Sequence, residues 1–223
     1  MNQPPDFNPL AGLYRWMEFL SFGPWLSLTR QTFLGDLSGC RRALVLGDGD
    51  GRFTARLLKA NCSVQIDAVD GSSAMLRALV ARAGPEAARV HTHLADIRDW
   101  QPEAGAAYDL VATHFFLDCL TTGEVELLAV RLRAAVTHPA LWVVSEFAVP
   151  PGWFGTIVAR PVVAGLYGVF GCLTGLGVRS LPDYAGALNA AGFLLLQRRP
   201  RLGGLLVSEL WAARVPNTTV AAG

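Results

Sequence analysis

The residues most suggestive of chemistry are three glycines at alternate positions, followed by an acidic residue. Gly47, Gly49 and Gly51 alternate with two aspartates in LVLGDGDGRF, between an apolar run and a helical pattern. Glycine lets the backbone turn sharply and approach a ligand closely. Asp70 lies 19 residues after Gly51, where a carboxylate can accept two hydrogen bonds from a ribose diol. The pattern predicts a nucleoside-binding site.

The glycine spacing and the intervening acids discriminate between nucleoside ligands. Dinucleotide-binding proteins use GxGxxG, whose third glycine packs helix against strand, whereas this chain has GxGxG. Asp48 and Asp50 would repel a pyrophosphate and would suit a cofactor that carries a sulfonium and an ammonium group. Both features disfavour NAD. A tight turn without a ligand is the simpler alternative.

Further candidates follow the later strands, at the sheet edge where open α/β folds bind ligands. Asp96 and Ile97 come after the third strand, where a carboxylate can reach an adenine amino group; an ordinary loop acid is the alternative. Thr113, His114 and Asp118 follow the fourth strand. His114 is the first candidate for a general base and Asp118 the second. The alternative for His114 is a wall of the ligand pocket.

The elements that must position these residues alternate between strands and helices. Short apolar runs predict strands over 43–46, 64–69, 90–94, 109–113 and 141–147. Amphipathic helical patterns separate most of them, which predicts an α/β fold with a doubly wound, Rossmann-like, mostly parallel sheet. Residues 193–197 and 205–211 predict two more strands. Their short connection requires an antiparallel C-terminal hairpin.

Apolar spacing predicts two N-terminal helices, over Leu13–Phe22 and Trp25–Leu34, separated by Gly23-Pro24. We therefore divide the chain into an N-terminal helical cap over residues 1–40 and a Rossmann-like domain over 41–215. Residues 151–181 form a lid-like insertion in that domain. For Asp70, an alternative role, compatible with ribose binding, is the N-cap of the Ser72-Ser73 turn.

Composition narrows the class of partner. The net charge is +1 and no basic stripe is present, so a nucleic-acid partner is not expected. The four cysteines show no CxxC spacing, which argues against a zinc site or a disulfide framework and favours the cytoplasm. Hydrophobic residues make up 52% of the chain. That fraction indicates a large core or an apolar surface for a ligand or a membrane.

The motifs together resemble class I S-adenosylmethionine-dependent methyltransferases, in the broad group that includes ubiquinone/menaquinone-type enzymes. The resemblance covers about residues 42–211 and rests on LVLGDGDGRF, VDGSSAML, LADIRDW, YDLVATHFFLD and WVVSEF, in that order. It implies S-adenosylmethionine as cofactor. The implied cofactor-binding residues are Gly47, Asp48, Gly49, Gly51, Asp70, Gly71, Ser72, Met75, Asp96, Ile97 and Thr113.

The resemblance also implies that the three glycines line the methionine part of the cofactor and that Thr113 and His114 border the methyl donor. One departure is Val45, which stands where the family often has an acid for the cofactor's amino group; Asp48 is the candidate replacement. The departure keeps open a non-catalytic Rossmann-like binding module, and a nicotinamide-dependent oxidoreductase is the less favoured alternative.

The methyl acceptor is predicted from two apolar segments that would cover the ligand-binding edge of the sheet. Residues 161–178 contain no charge, yet the glycines there make a weak helix, so a pocket wall is favoured over a membrane span. The aromatic N-terminal helices would supply the second cover. We therefore expect a small apolar acceptor (a quinone, a phenol or a lipid) and a possible peripheral membrane contact. An apolar helix packed on the core is the alternative.

Overall fold

The computed structural model describes residues 24–166 and 180–214, which form a seven-stranded sheet in the order β3-β2-β1-β4-β5-β7-β6. Strands β1 to β5 are parallel, and β7 runs antiparallel to both β5 and β6. The strands are β1 (Arg42–Leu46), β2 (Gln65–Asp70), β3 (Val90–Leu94), β4 (Tyr108–His114), β5 (Val136–Phe147), β6 (Phe193–Arg201) and β7 (Leu206–Ala213).

Helices cover both faces of the sheet. They are α1 (Pro24–Arg30), α2 (Arg52–Ala60), α3 (Ser73–Ala83), α4 (Thr122–Ala135) and α5 (Tyr184–Ala190). One core contains Phe53 and Leu57 of α2, and the other contains Leu128 of α4 and Leu188 of α5. These apolar stripes are buried against opposite faces because successive strand side chains point to opposite sides.

The predicted fold class is confirmed, with differences in detail. β7 lies between β5 and β6, so the hairpin extends the sheet through its second strand. β5 begins at Val136, directly after α4, five residues before the predicted start. α1 ends at Arg30 rather than Leu34, because the chain turns inward there to bury Phe33 and Leu37 against the α2 side of the sheet.

A helical segment over 153–166, π-helical over Gly155–Ala159, follows β5 and packs on the β6–β7 turn. Of the predicted lid, residues 167–179 lie outside the described residues, as does the predicted helix Leu13–Phe22. Within the described ranges, no helix combines the length and apolarity that a bilayer crossing requires.

Candidate active site

The backbone conformation of the loop between β1 and α2 is the first reason for its three glycines. Gly47, Gly49 and Gly51 have φ of +63°, +57° and +79°, in the left-handed region that favours glycine. A Cβ on Gly47 would collide with the Phe116 ring, and one on Gly51 would lie 2.7 Å from the Leu79 backbone.

Gly49 is different from the other two glycines. Among the described residues, Met75 Sδ is the one atom within 4 Å of its Cβ position, at 3.9 Å. The close approach predicted for all three glycines is therefore available to a ligand at Gly49. At Gly47 and Gly51 the protein itself fills the space.

The two aspartates of this loop are engaged within the protein. Asp48 accepts hydrogen bonds from the backbone N–H groups of Phe53 (3.2 Å) and Thr54 (2.8 Å), so it caps α2. Asp50 forms ion pairs with Arg52 (3.1 Å) and Arg82 (2.6 Å). Because both carboxylates already have partners within the protein, their charge no longer argues against NAD. The GxGxG spacing of the glycines still does.

Asp70 joins the two predicted nucleoside motifs. Its carboxylate accepts a hydrogen bond from the N–H group of Ser72 (2.8 Å), and the nearby N–H group of Gly49 also lowers its pKa. Burial, the larger effect, raises the pKa of Asp70 to about 6, against the lowering effect of these bonds. A carboxylate has about four acceptor sites, so the ionised group retains capacity for a diol.

Ser72, rather than Asp70, is the N-cap of α3. Its hydroxyl accepts a hydrogen bond from the Met75 N–H at 3.3 Å, and its side chain is buried. The alternative interpretation of Asp70 as the N-cap was therefore wrong. Gly71, next to Ser72, leaves the carbonyl of Ala95 3.9 Å from its Cβ position.

The loop after β3 lies beside Asp70. The Ala95 N–H donates to the Asp70 carbonyl at 3.2 Å. Asp96 accepts from the N–H of Arg98 (2.9 Å), and Ile97 is buried. The predicted adenine-flanking residues are thus adjacent to the predicted ribose-binding carboxylate.

Arg131 fixes this loop and was missed by sequence reasoning. It donates from α4 to the carbonyls of Ile97 (2.8 Å), Trp100 (2.6 Å) and Arg98 (3.0 Å). Nothing in the local sequence marks it, because the contact spans more than thirty residues.

His114 lies buried at the end of β4, with its ring 4.2 Å from that of Phe53. Its Nδ1 is 2.9 Å from Ser145 Oγ on β5. Ser145 Oγ also lies 3.4 Å from the Thr29 carbonyl and 3.2 Å from Ser208 Oγ. A carbonyl can only accept, so one arrangement of this network has Ser145 donating its single proton to Thr29. Nδ1 of His114 then carries the proton that Ser145 accepts.

In that arrangement Nε2 of His114 presents a lone pair. That atom is buried and has no hydrogen-bond partner among the described residues. Burial, and secondarily the positive charge of Arg30, hold the pKa of His114 well below its usual value. The imidazole is therefore neutral at physiological pH, the state in which a general base can accept a proton.

A buried carboxyl pair lies on the other face of the sheet edge. Glu146, at the end of β5, accepts from the N–H groups of Phe116 (3.1 Å) and Leu117 (2.8 Å), and its other oxygen has no partner among the described residues. Burial and the charge of Asp118 raise the pKa of Glu146, and burial raises that of Asp118 to about 6. Sequence reasoning missed Glu146, although it lies within the motif WVVSEF.

The Thr113 side chain packs inside the protein, beside Trp142. It is fully buried, and its hydroxyl accepts a hydrogen bond from the Trp142 indole at 3.0 Å. The side chain points to the face opposite His114, and a position of Thr113 beside the methyl donor stays a prediction.

Known proteins resemble this chain over the region that contains the glycine loop, Asp70 and His114. A family model described as a methyltransferase domain matches residues 43–137. A tRNA1(Val) (adenine(37)-N6)-methyltransferase of Enterobacter sp. (strain 638) is 32% identical over 110 residues. That match covers 47% of this chain and 45% of the relative, so it spans less than half of the relative's length.

Solved structures share the fold at low identity. An O-methyltransferase family protein from Burkholderia thailandensis has a TM-score of 0.70 and 16% identity, over 92% of this chain and 59% of that chain. A putative O-methyltransferase from Nostoc punctiforme has a TM-score of 0.68 and 18% identity, over 93% and 61%. Mitomycin 7-O-methyltransferase has a TM-score of 0.65 and 15% identity, over 92% and 60%. Residues 43–137 thus match a methyltransferase domain, and the described chain shares the fold of these O-methyltransferase structures.

Proposed function

We propose that this chain is an S-adenosylmethionine-dependent methyltransferase that acts on a small, apolar acceptor. The observation that carries the proposal is the closeness of the Gly49 backbone to the Asp70 carboxylate, which joins the glycine loop to the predicted ribose-binding acid. The open space at Gly49 provides the close backbone approach that a nucleoside cofactor needs. Residues 41–215 form the methyltransferase domain in this proposal, and residues 1–40 its cap.

The residues around Gly49 fit the cofactor. Asp70 would accept hydrogen bonds from the ribose hydroxyls, and Met75 would contact the ligand beside Gly49. Asp96 and Ile97 would flank the adenine, since their loop adjoins Asp70 through the Ala95 N–H. Asp48 would support the glycine loop rather than contact the cofactor, because both its carboxylate oxygens accept hydrogen bonds from the start of α2.

When bound, S-adenosylmethionine supplies an electrophilic methyl group on its sulfonium. His114 is the proposed base: it is neutral, and its Nε2 lone pair can accept a proton from an acceptor hydroxyl. Ser145 holds the ring in place through its contact with Nδ1. Asp118 is the second candidate, with a pKa of about 6. Alignment of acceptor and donor supplies the rest of the rate enhancement.

The acceptor side of the site is apolar. Leu26 of α1 packs with Phe115, and Ala159 and Val163 of the segment 153–166 pack nearby, both groups around the shared Phe147. These covers flank the ends of β4 and β5, where His114 lies. An apolar lining favours a quinol, a phenol or a lipid over a polar amine or acid.

Acceptor class is tested by a turnover screen with S-adenosylmethionine. Quinols, phenols and phospholipids form one arm, small polar amines and acids the second, and tRNA the third. Methylation in the apolar arm supports the proposal. Preference for either other arm contradicts the acceptor class, and cofactor binding without turnover in any arm favours a non-catalytic binding module.

Membrane contact is the second part of the acceptor proposal. Trp153 and Ile157 are 73% and 67% exposed, one helical turn apart on the segment 153–166. Co-sedimentation with phospholipid vesicles should fall when both are replaced by alanine. The matched control replaces Leu127 and Val130 on α4, which are 68% and 63% exposed. Equal sedimentation of wild type and both double variants contradicts a contact at this segment.

A further inference from the structure

Three buried polar side chains form a row across the sheet: His114 on β4, Ser145 on β5 and Ser208 on β7. His114 pairs with Ser145, and Ser145 pairs with Ser208, so the three side chains of this polar row lie on the same face. Their relative exposures are 2%, 0% and 0%. Because the polar row is buried, each hydrogen in it needs an acceptor within the protein.

Ser145 Oγ is the centre of the polar row and has three neighbours within hydrogen-bond distance. They are Nδ1 of His114 (2.9 Å), Oγ of Ser208 (3.2 Å) and the Thr29 carbonyl oxygen in the last turn of α1 (3.4 Å). A hydroxyl group has one hydrogen and two lone pairs, so Ser145 can bond all three only by donating once and accepting twice. The carbonyl has no hydrogen to give. In that arrangement Thr29 accepts from Ser145, while His114 and Ser208 donate to it.

Two competing arrangements each leave a buried hydrogen without an acceptor. Burial holds the pKa of His114 well below its usual value, so the ring carries a single hydrogen. If Ser145 donated to Nδ1, that hydrogen would lie on Nε2, which has no hydrogen-bond partner in the part of the chain that the structure describes. If Ser145 donated to Ser208, the Ser208 hydrogen would have no acceptor, since Ser145 Oγ is the hydrogen-bond partner that the described residues provide for it. The first arrangement leaves only the Nε2 lone pair unused, and buried hydrogens without an acceptor are rarer than buried lone pairs without a donor.

We propose that Ser145 is a positioning residue, which fixes the neutral His114 ring as the tautomer with its hydrogen on Nδ1 and its lone pair on Nε2. The Thr29 carbonyl accepts the Ser145 hydrogen, so α1 must be docked on the sheet for the tautomer to be fixed. The inference deepens the proposed function and rests on it for the role of Nε2 as the base. When Nε2 takes the proton of an acceptor hydroxyl, Nδ1 still donates to Ser145, so no hydroxyl in the polar row has to turn.

The test reads the tautomer directly. Protein labelled with ¹⁵N-histidine gives separate NMR signals for protonated and unprotonated ring nitrogens. The chain has four histidines, and the spectrum of His114→Gln identifies the signals of His114 by their loss. In wild type, His114 should carry its hydrogen on Nδ1 and none on Nε2.

Ser145→Ala removes the acceptor of the Nδ1 hydrogen, so His114 should shift to the Nε2–H tautomer, which free histidine prefers. Ser145→Thr keeps the hydroxyl and should keep the hydrogen on Nδ1. Ser208→Ala is the matched control, because it removes a hydroxyl from the same polar row but leaves the contact between Ser145 and Thr29; its His114 should also stay Nδ1–H. With a methyl acceptor, kcat should fall about tenfold or more in Ser145→Ala at unchanged cofactor affinity, and Ser145→Thr should recover it.

An Nε2–H tautomer in wild type would overturn the proposal, as would an Nδ1–H tautomer that persists in folded Ser145→Ala. A shift to Nε2–H in Ser208→Ala as large as that in Ser145→Ala would overturn the role assigned to Ser145. If Ser145→Ala does not fold, the wild-type spectrum decides: Nδ1–H supports the proposal, and Nε2–H overturns it. Full turnover of His114→Ala would overturn the base in the proposed function, whereas the spectra would still support or overturn the tautomer.

Discussion

Replacing Asp70 by asparagine should make the protein more stable and a poorer binder of its cofactor. Burial raises the pKa of Asp70 to about 6, compared with about 3.9 for an unfolded aspartate. Because the folded state holds the proton more tightly, the free energy of unfolding falls as pH rises from about 4 to about 6 and stays lower above that range. At about 1.4 kcal/mol per pKa unit, the ionised group costs the fold about 2–3 kcal/mol at pH 8.

Asparagine cannot ionise, and its side-chain oxygen can still accept the Ser72 N–H. The amide nitrogen cannot accept the Gly49 N–H, which costs about 1 kcal/mol. The net gain at pH 8 is therefore about 1–2 kcal/mol, or about 2–8 °C in Tm for a chain of this size. The gain should shrink toward pH 4, where the unfolded aspartate is also half protonated.

Thermal unfolding at pH 4.5 and pH 8, combined with calorimetric titration of S-adenosylhomocysteine, measures both effects. Loss of the charged acceptor should weaken binding about 10- to 100-fold. The control is Asp36→Asn, an exposed aspartate whose replacement should change neither quantity. An Asp70→Asn protein with unchanged affinity and unchanged or lower Tm at pH 8 would refute the reasoning.

Four further predictions address other parts of the site. In wild type, lowering the pH from 8 to 5 should weaken cofactor binding about tenfold, because Asp70 is protonated below its pKa of about 6; calorimetry on Asp70→Asn should show no such step. Gly51→Ala should destabilise the fold in a urea titration because its Cβ would lie 2.7 Å from the Leu79 backbone, and wild-type stability would contradict this. Thr113→Val should lower the free energy of unfolding by about 1–3 kcal/mol with cofactor affinity unchanged, because the Trp142 N–H loses its acceptor; reduced affinity at full stability would return Thr113 to the site. His114→Ala should lower turnover and preserve cofactor affinity, whereas loss of affinity would make it a pocket wall.

Local patterns in the sequence were sufficient for the fold and for the nucleoside half of the site. Strand runs and helical spacing alternate at regular intervals, so the parallel sheet and the antiparallel hairpin could both be inferred. The glycine loop and Asp70 were identifiable because each follows a strand at a fixed point. The insertion of β7 beside β5 was not identifiable, since the pairing joins residues that are distant in the chain.

The half of the site proposed to bind the methyl acceptor depends on contacts between residues that are distant in the sequence. Local sequence patterns do not reveal such contacts. Ser145 orients His114 across neighbouring strands, and Glu146 holds the loop after β4 through two backbone N–H groups. Arg30 reaches Phe115 from a helix that precedes the sheet. Asp48 was predicted as a ligand contact because its type suited a cation, yet the nearest donors are the free N–H groups at the start of α2.

The central claim is that the loop after β1 and Asp70 together bind S-adenosylmethionine. The most direct measurement is calorimetric titration of the purified protein with S-adenosylhomocysteine and, separately, with NADH. The account predicts saturable binding of S-adenosylhomocysteine at one site per chain, lost or strongly weakened in Asp70→Ala, and no binding of NADH. Binding of NADH, or binding of S-adenosylhomocysteine that is unchanged in a folded Asp70→Ala protein, would contradict it.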